Sequence, residues 1–254
     1  MSVYACSDLH GQWDLFEELM TYINPDDKVY FLGDAIDRGL FGWNICKTII
    51  NDSRFTYIMG NHEDMMLKCL SAITPKNYDD YYCYNSDMQL WFWNGGENTY
   101  DGFFYDTENT VEDKIDILKR LKRLNYFDTY INKHRDVIYL THAGFEPDFL
   151  REDRVTKEDF LWDRSHYIAD DFYGLDNEIV IHGHTPNPHL VNEINWHKKE
   201  EDRYNYQPGD GAFWYAGGHK CCIDCGAHYT GTTVLLNLDT FEEIKIGEPI
   251  NGTK

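Results

Sequence analysis

Positive charge is scarce in this chain. Against 44 Asp and Glu stand 23 Lys and Arg, a formal net charge of −21 over 254 residues. A surface of that sign repels phosphate backbones, so duplex DNA or RNA is not an expected partner. Long apolar runs are missing too. No segment approaches the roughly 18 residues that a membrane-spanning helix needs, and no basic stretch followed by an apolar run opens the chain as a secretory leader would. No membrane partner is expected. A disulfide framework is also lacking, because the seven cysteines (Cys6, Cys46, Cys69, Cys83, Cys221, Cys222 and Cys225) are odd in number and irregular in spacing. These absences together predict a reduced, cytoplasmic protein. With no internal repeat, low-complexity tract or linker, residues 1–254 read as a single domain.

Aromatic residues, by contrast, are plentiful: 16% of the chain, led by 19 Tyr, within an ordinary 42% hydrophobic and 26% charged composition. Apolar periodicity alternates between the two standard periods. Short runs at Ser2–Cys6, Val29–Leu32 and Phe55–Met59 read as strands. They are separated by helical patterns at Trp13–Ile23 and Leu40–Ile50, and a further helix begins at Glu63. A helix capped by Thr110 spans Val111–Leu124, and Phe127–Ile131 with Val137–Leu140 forms a hairpin. Strands follow at Glu178–Ile181, Cys221–Asp224, Thr232–Leu238 and Glu242–Ile246. Strand–helix alternation predicts a layered α/β fold with a largely parallel sheet. Between Thr74 and Asp106 the pattern breaks, and the aromatics there (Tyr78, Tyr81, Tyr82, Tyr84, Trp91, Phe92, Trp93) read as packing beneath a lid. Asn192–Lys220 reads as a long polar segment on the substrate side, with a solvated loop or hairpin tip at Lys198–Arg203.

The residues just after each strand carry the chemistry. In order come Ser7-Asp8-Leu9-His10-Gly11, then Gly33-Asp34-Ala35-Ile36-Asp37-Arg38-Gly39, then Gly60-Asn61-His62-Glu63, then Thr141-His142-Ala143-Gly144, then His182-Gly183-His184-Thr185-Pro186. Five strands each deliver an Asp, Asn or His beside a Gly at the edge where open α/β sheets bind ligands. Glycine there allows a sharp turn and a close approach to an ion. Carboxylate, amide and imidazole donors without thiolate suit Mn²⁺, Fe or Zn²⁺. Two such ions clamp phosphate oxygens and hold a water that ionises near neutral pH. One strand-ending Asp or His is usually a turn former; five in one order are not.

These segments resemble the PPP-type serine/threonine phosphatases of the calcineurin-like metallophosphoesterase superfamily, whose outline is GDxHG, GDxxDRG, GNHE, HxG and GH. The likeness is strongest to the bacterial and bacteriophage-lambda branch. That branch shares the GHTP form, a turn like Asn94-Gly95-Gly96 and a strand ending like Ile223-Asp224-Cys225-Gly226-Ala227. Ser7 stands where Gly is usual, and Asn192–Lys220 is longer than in lambda-type enzymes, which weakens any inference about substrate. The resemblance implies a central β-sandwich flanked by helices, with the site at the C-terminal ends of the strands, and two divalent ions with Mn²⁺ first in preference. By position, Asp8 and His10 match ligands of the first metal and Asp34 the bridging carboxylate. Asn61, His142 and His184 match ligands of the second, while His182 falls outside the ligand pattern and reads as a supporting residue. His62 matches the general acid and Asp37 its orienting partner. Arg38 and, on the shorter Leu161-Trp162-Asp163-Arg164 motif, Arg164 match phosphate-binding residues.

The implied reaction is attack of a metal-bridging hydroxide directly on phosphorus, without a phospho-enzyme, in a metal-dependent phosphomonoester hydrolase. The expected substrate is a phosphoprotein, at serine or threonine, or a phosphorylated small molecule. A symmetrical dinucleoside polyphosphate hydrolase is the alternative. Asp37-Arg38 favours the phosphatase, because the polyphosphate branch commonly has Ala before that Arg. A metal-binding scaffold without catalysis is disfavoured because every matched ligand, His62 and Asp37 are present. A zinc site at Cys221, Cys222, Cys225, His219 and His228 competes with a buried-strand reading of the same residues, and the strand is preferred.

Overall fold

The computed structural model describes residues 1–81, 85–168 and 170–250. Tyr82, Cys83 and Tyr84 lie outside the described residues. Two five-stranded sheets form the centre. In the first, β1 (Val3–Cys6), β2 (Lys28–Phe31) and β3 (Phe55–Tyr57) run parallel, and β9 (Thr232–Asn237) and β10 (Glu243–Gly247) extend it antiparallel beyond β1. In the second, β5 (Val137–Thr141), β6 (Glu178–His182) and β8 (Lys220–Cys222) run parallel, flanked by antiparallel β4 (Phe127–Ile131) and β7 (Phe213–Tyr215).

The strands alternate as their period of two requires. Val3 and Ala5 of β1, Ile138 and Leu140 of β5, Ile179 and Ile181 of β6, and Val234 and Leu236 of β9 meet in one buried layer between the sheets. The outer face of the first sheet is covered by α1 (Trp13–Thr21), α2 (Gly42–Asn51), α3 (Asn61–Leu70), α4 (Ser86–Trp93), α5 (Glu97–Tyr105) and α6 (Val111–Leu121). Helix α1 buries Leu15, Phe16 and Leu19, one helical face. At the start of α6, Thr110 Oγ1 accepts from Asp113 N (3.2 Å) while the Asp113 carboxylate accepts from Thr110 N (3.0 Å). That reciprocal cap contributes about 1 kcal/mol. The sandwich flanked by helices is the expected architecture, and the hairpin pairs Phe127 with Thr141 through Ile131 with Val137.

Several expectations about local structure need correction. The stretch 74–106 is largely helical: Asn85 caps α4 by accepting from Met88 N (3.0 Å), and α5 follows the Asn94-Gly95-Gly96 turn. Between β5 and β6 run three short helices, α7 (Pro147–Arg151), α8 (Lys157–Trp162) and α9 (Ser165–Ile168), which had left no clear apolar period. The long segment after Asn192 begins inside α10 (Asn187–Trp196), passes through β7 and ends at the start of β8. Its aromatics Tyr204, Tyr206, Phe213 and Tyr215 pack with Leu190, Val191 and Ile194 on the outer face of the second sheet. Of the two readings of Lys198–Arg203, the loop holds: it is a largely exposed stretch with one 3₁₀ turn.

Candidate active site

Parallel strands of one sheet end on the same side, so β1, β2 and β3 deliver their loops together, as do β5 and β6 in the facing sheet. The loops are zipped by backbone bonds. Asp8 N donates to Gly33 O (3.1 Å), His10 N to Asp34 O (3.0 Å), Gly11 N to Ala35 O (2.9 Å) and Gly183 N to His142 O (2.8 Å). Such close approach leaves no room for side chains at the glycines. A Cβ on Gly33 would lie 2.5 Å from Gly60 Cα and 2.9 Å from His142 Nδ1. The ligand-bearing residues are themselves bent into left-handed backbone: φ is 53° at Asp8, 45° at His10, 59° at Asp34, 71° at Asp37, 62° at Arg38 and 68° at His184. Non-glycine residues tolerate this only where the surroundings hold them there, and such residues cluster at functional sites.

Imidazoles and carboxylates converge at the centre. Asp34 Oδ2 lies 3.6 Å from His10 Nε2, 3.5 Å from His142 Nε2 and 3.7 Å from His62 Nε2. Asn61 Oδ1 lies 2.8 Å from His142 Nε2 and 3.1 Å from His184 Nδ1, and these two nitrogens are 3.2 Å apart. His10 Nδ1 donates to Ile36 O (2.9 Å) and His142 Nδ1 to Leu32 O (2.7 Å). A carbonyl only accepts, so each opposite Nε2 carries a lone pair turned inward. Lone pair therefore faces lone pair across a buried centre, an arrangement that a cation satisfies.

Burial drives the His10 and His184 imidazoles well below their usual range and His142 to about 3. It raises the Asp8 and Asp34 carboxyls well above theirs, helped at Asp8 by Asp224 and at Asp34 by Glu63. Two groups, His10–Asp34–His62 and Asp34–His142–His184, hold ligating atoms within 4.8 Å of one another, and Asp34 belongs to both, as a bridging carboxylate must. Asp8 is absent from those groups: its buried carboxylate accepts from Ser7 Oγ and from His184 N (3.1 Å). The donor set fits two divalent ions of the borderline class.

One buried carboxylate that the sequence marked only as a helix start ties the loops together. Glu63 accepts from Asp34 N (2.8 Å), Ala35 N (3.0 Å), Gly60 N (3.1 Å) and Tyr57 Oη (2.8 Å). Beside it, His62 Nδ1 lies 2.7 Å from Asp37 Oδ2, and the same oxygen accepts from Trp91 Nε1 (2.8 Å). His62 Nε2 faces the centre, 3.4 Å from an Arg38 guanidinium nitrogen. Arg164 is exposed at the rim, where its Nε donates to Thr185 Oγ1 (3.2 Å) next to His184.

Asp224 and His228 are site-lining residues not singled out as such from the sequence. Asp224, two residues past β8, is buried near Asp8, and burial pushes its carboxyl up to about 6. The His228 ring sits 6.0 Å from that of His10, and burial lowers its imidazole to about 4. His182 points away, with Nε2 2.8 Å from Tyr215 Oη. Cys221, Cys222 and Cys225 are buried with thiols raised by desolvation, and no metal-sized group among the described residues includes a cysteine.

Residues 1–222 match the calcineurin-like phosphoesterase family. The chain belongs to that family. It is 23% identical over 164 residues to serine/threonine-protein phosphatase 2 of Escherichia coli, covering 63% of this chain and 66% of that protein. Over 77 residues it is 34% identical to the symmetrical bis(5′-nucleosyl)-tetraphosphatase of Actinobacillus succinogenes, covering 29% of this chain and 28% of that one. Solved structures share the fold. One of a candidate diadenosine tetraphosphatase superposes with a TM-score of 0.57 at 14% identity, covering 98% of this chain and 94% of that chain. A metallophosphoesterase from Sphaerobacter thermophilus superposes at 0.50 with 11% identity, covering 99% and 88%. The curated relatives thus carry both phosphatase and nucleotide-hydrolase names. Among the described residues no helix is long and apolar enough to cross a membrane.

Proposed function

We propose that this phosphoesterase hydrolyses phosphomonoesters and that its substrate is phosphoserine or phosphothreonine in protein. The observation that carries the reading is the Asp37–His62–Arg38 arrangement. A buried carboxylate fixes one imidazole nitrogen at 2.7 Å, while the other faces the metal-ligand centre beside a guanidinium. In the proposed reaction a water oxygen bonds to phosphorus as the bond to the substrate alkoxide breaks, so no phospho-enzyme forms. His62 Nε2 gives its proton to the departing alkoxide, which is a poor leaving group until protonated. Asp37 holds the ring so that this nitrogen points inward. Arg38, joined by Arg164 from the rim, presents guanidinium donors to the phosphate oxygens. Asp8, His10, Asp34, Asn61, His142 and His184 would hold two ions, Mn²⁺ by preference. When bound, such ions lower the pKa of water towards neutrality and offset phosphate charge. The reading takes residues 1–254 as one domain, supported by the inter-sheet core that joins Val3 to Leu238.

The test compares kcat/KM on a phosphoserine peptide and on diadenosine tetraphosphate in Mn²⁺, with His62→Asn as control. Faster peptide cleavage that the variant loses supports the protein-phosphatase reading. Faster nucleotide cleavage transfers the function to symmetrical dinucleoside polyphosphate hydrolysis. The 34% identity to a tetraphosphatase over 77 residues makes that the alternative to beat.

A further inference from the structure

Asp37 and Arg38 both sit in left-handed backbone, and four hydrogen bonds tie that dipeptide to one short segment. Thr99 Oγ1 accepts from Asp37 N (2.8 Å), Gly95 O accepts from Arg38 N (2.9 Å) and Asn98 Nδ2 donates to Arg38 O (3.1 Å). Trp91 Nε1 donates to Asp37 Oδ2 (2.8 Å). The indole is fully buried, and it lies against Gly96, where a Cβ would come 2.5 Å from Nε1. Its own carbonyl accepts from Gly96 N (3.0 Å), so the turn and the indole form one rigid unit.

We infer that Trp91 is a positioning residue for proton delivery, setting the Asp37 carboxylate so that the same oxygen meets His62 Nδ1. Asp37 is wholly buried and its Oδ1 has no hydrogen-bond partner, so Oδ2 carries both of its side-chain contacts. The indole N–H is a second donor to the oxygen that meets His62 and restrains the carboxylate rotamer. Removing it leaves a buried carboxylate with one donor and freedom to rotate, and the imidazole loses its fixed aim. Trp91 is not among the proposed ligands or phosphate-binding residues, and its effect travels through Asp37 and His62. A packing role for the ring alone is the competing account, and it predicts no dependence on the leaving group.

This inference rests on the proposed general-acid role of His62, and the experiment separates the two. Trp91→Phe keeps an aromatic ring, a smaller one, in the buried position and deletes the N–H. Kinetics are measured in Mn²⁺ on a phosphoserine peptide, whose alkoxide needs a proton, and on p-nitrophenyl phosphate, whose leaving group does not. We expect kcat on the peptide to fall about 10- to 100-fold, a fraction of what general acid catalysis supplies, with a much smaller fall on p-nitrophenyl phosphate. In an Asp37→Asn background the same change should cost less than about 3-fold, because coupled residues are not additive. Equal losses on both substrates, no loss on the peptide, or a full loss persisting in the Asp37→Asn background would overturn the inference. If His62→Asn shows no preference between the two substrates, the general-acid reading itself fails, whatever Trp91→Phe does.

Discussion

Replacing Glu63 by Gln changes one atom and leaves every proposed ligand in place, so it isolates the contribution of the tether between loops. Oε2 accepts from Asp34 N and Gly60 N, and Oε1 from Ala35 N and Tyr57 Oη. In Glu63→Gln one oxygen becomes an NH₂ group, so two buried donors lose their acceptor and face another donor. A buried donor left unsatisfied costs about 1–3 kcal/mol, so the change should cost about 2–6 kcal/mol of a total that is typically about 5–15. At an m-value of about 3 kcal/mol/M, the urea midpoint should fall by about 1–2 M. The loops carrying Asp34 and Asn61 also lose their common anchor. Loss of an outer partner of this kind typically weakens metal binding about 10–100-fold. Urea unfolding followed by circular dichroism checks the first number, and calorimetric titration of Mn²⁺ into chelator-stripped protein checks the second. A variant with an unchanged midpoint and unchanged affinity would refute the view that Glu63 holds the two ligand loops in register.

Three further expectations are independent of it. His62→Asn should lower kcat on a phosphoserine peptide by about 10²–10⁴-fold while the protein stays folded, as steady-state kinetics and a melting curve together will show. Stripping metal with a chelator should abolish hydrolysis. Restoring Mn²⁺ at 100 times its Kd should recover activity and add about 2.7 kcal/mol of stability, and a melting temperature indifferent to Mn²⁺ would count against the site. Lys220→Met should destabilise by about 3–5 kcal/mol, read from denaturant unfolding, because it strands the Glu146 carboxylate that Lys220 now pairs within the interior.

The proposed ligand set could be put forward from sequence because each member sits within a few residues of a strand end, and a strand end is a local feature. Asp8, Asp34, Asn61, His142 and His184 announce themselves by type, and Asp34, Asn61 and His184 also by the glycine beside them; the structure brings Asp34, Asn61, His142 and His184 into contact. The features that stayed hidden are held across long sequence separations. Trp91 is 54 residues from Asp37, and the helix that carries it gave no clear period because Leu90 (48% exposed) and Trp93 (90% exposed) put large apolar side chains on its wet face. Glu63 showed only its local role, since its contacts with Asp34 N and Ala35 N join two loops that no spacing rule connects. Asp224 follows a strand as the others do, but no spacing relates it to Asp8. The helices between β5 and β6 escaped for another reason: at five, six and four residues they are too short to show a period.

Net charge and chemistry look opposed in a chain of −21 that handles phosphate, and the site shows how they coexist. Asp8, Asp34, Glu63 and Asp224 are all buried in one region, and burial raises each carboxyl, while the same burial lowers the imidazoles of His10, His142 and His184. Both shifts disfavour charge, which is what a low-dielectric interior does to ionisable groups left to themselves. Divalent ions invert that preference. They favour ionised carboxylates, make use of neutral imidazole lone pairs, and turn a carboxylate-lined centre into an attractive place for an anion. On the proposed assignment, Arg38 and Arg164 need only refine the local field rather than create it. The left-handed backbone, the glycines without room for a Cβ and the inward lone pairs are each unfavourable alone. They are consistent with one another only as a seat for metal, which is why so many local rules are broken within a few ångströms of Asp34.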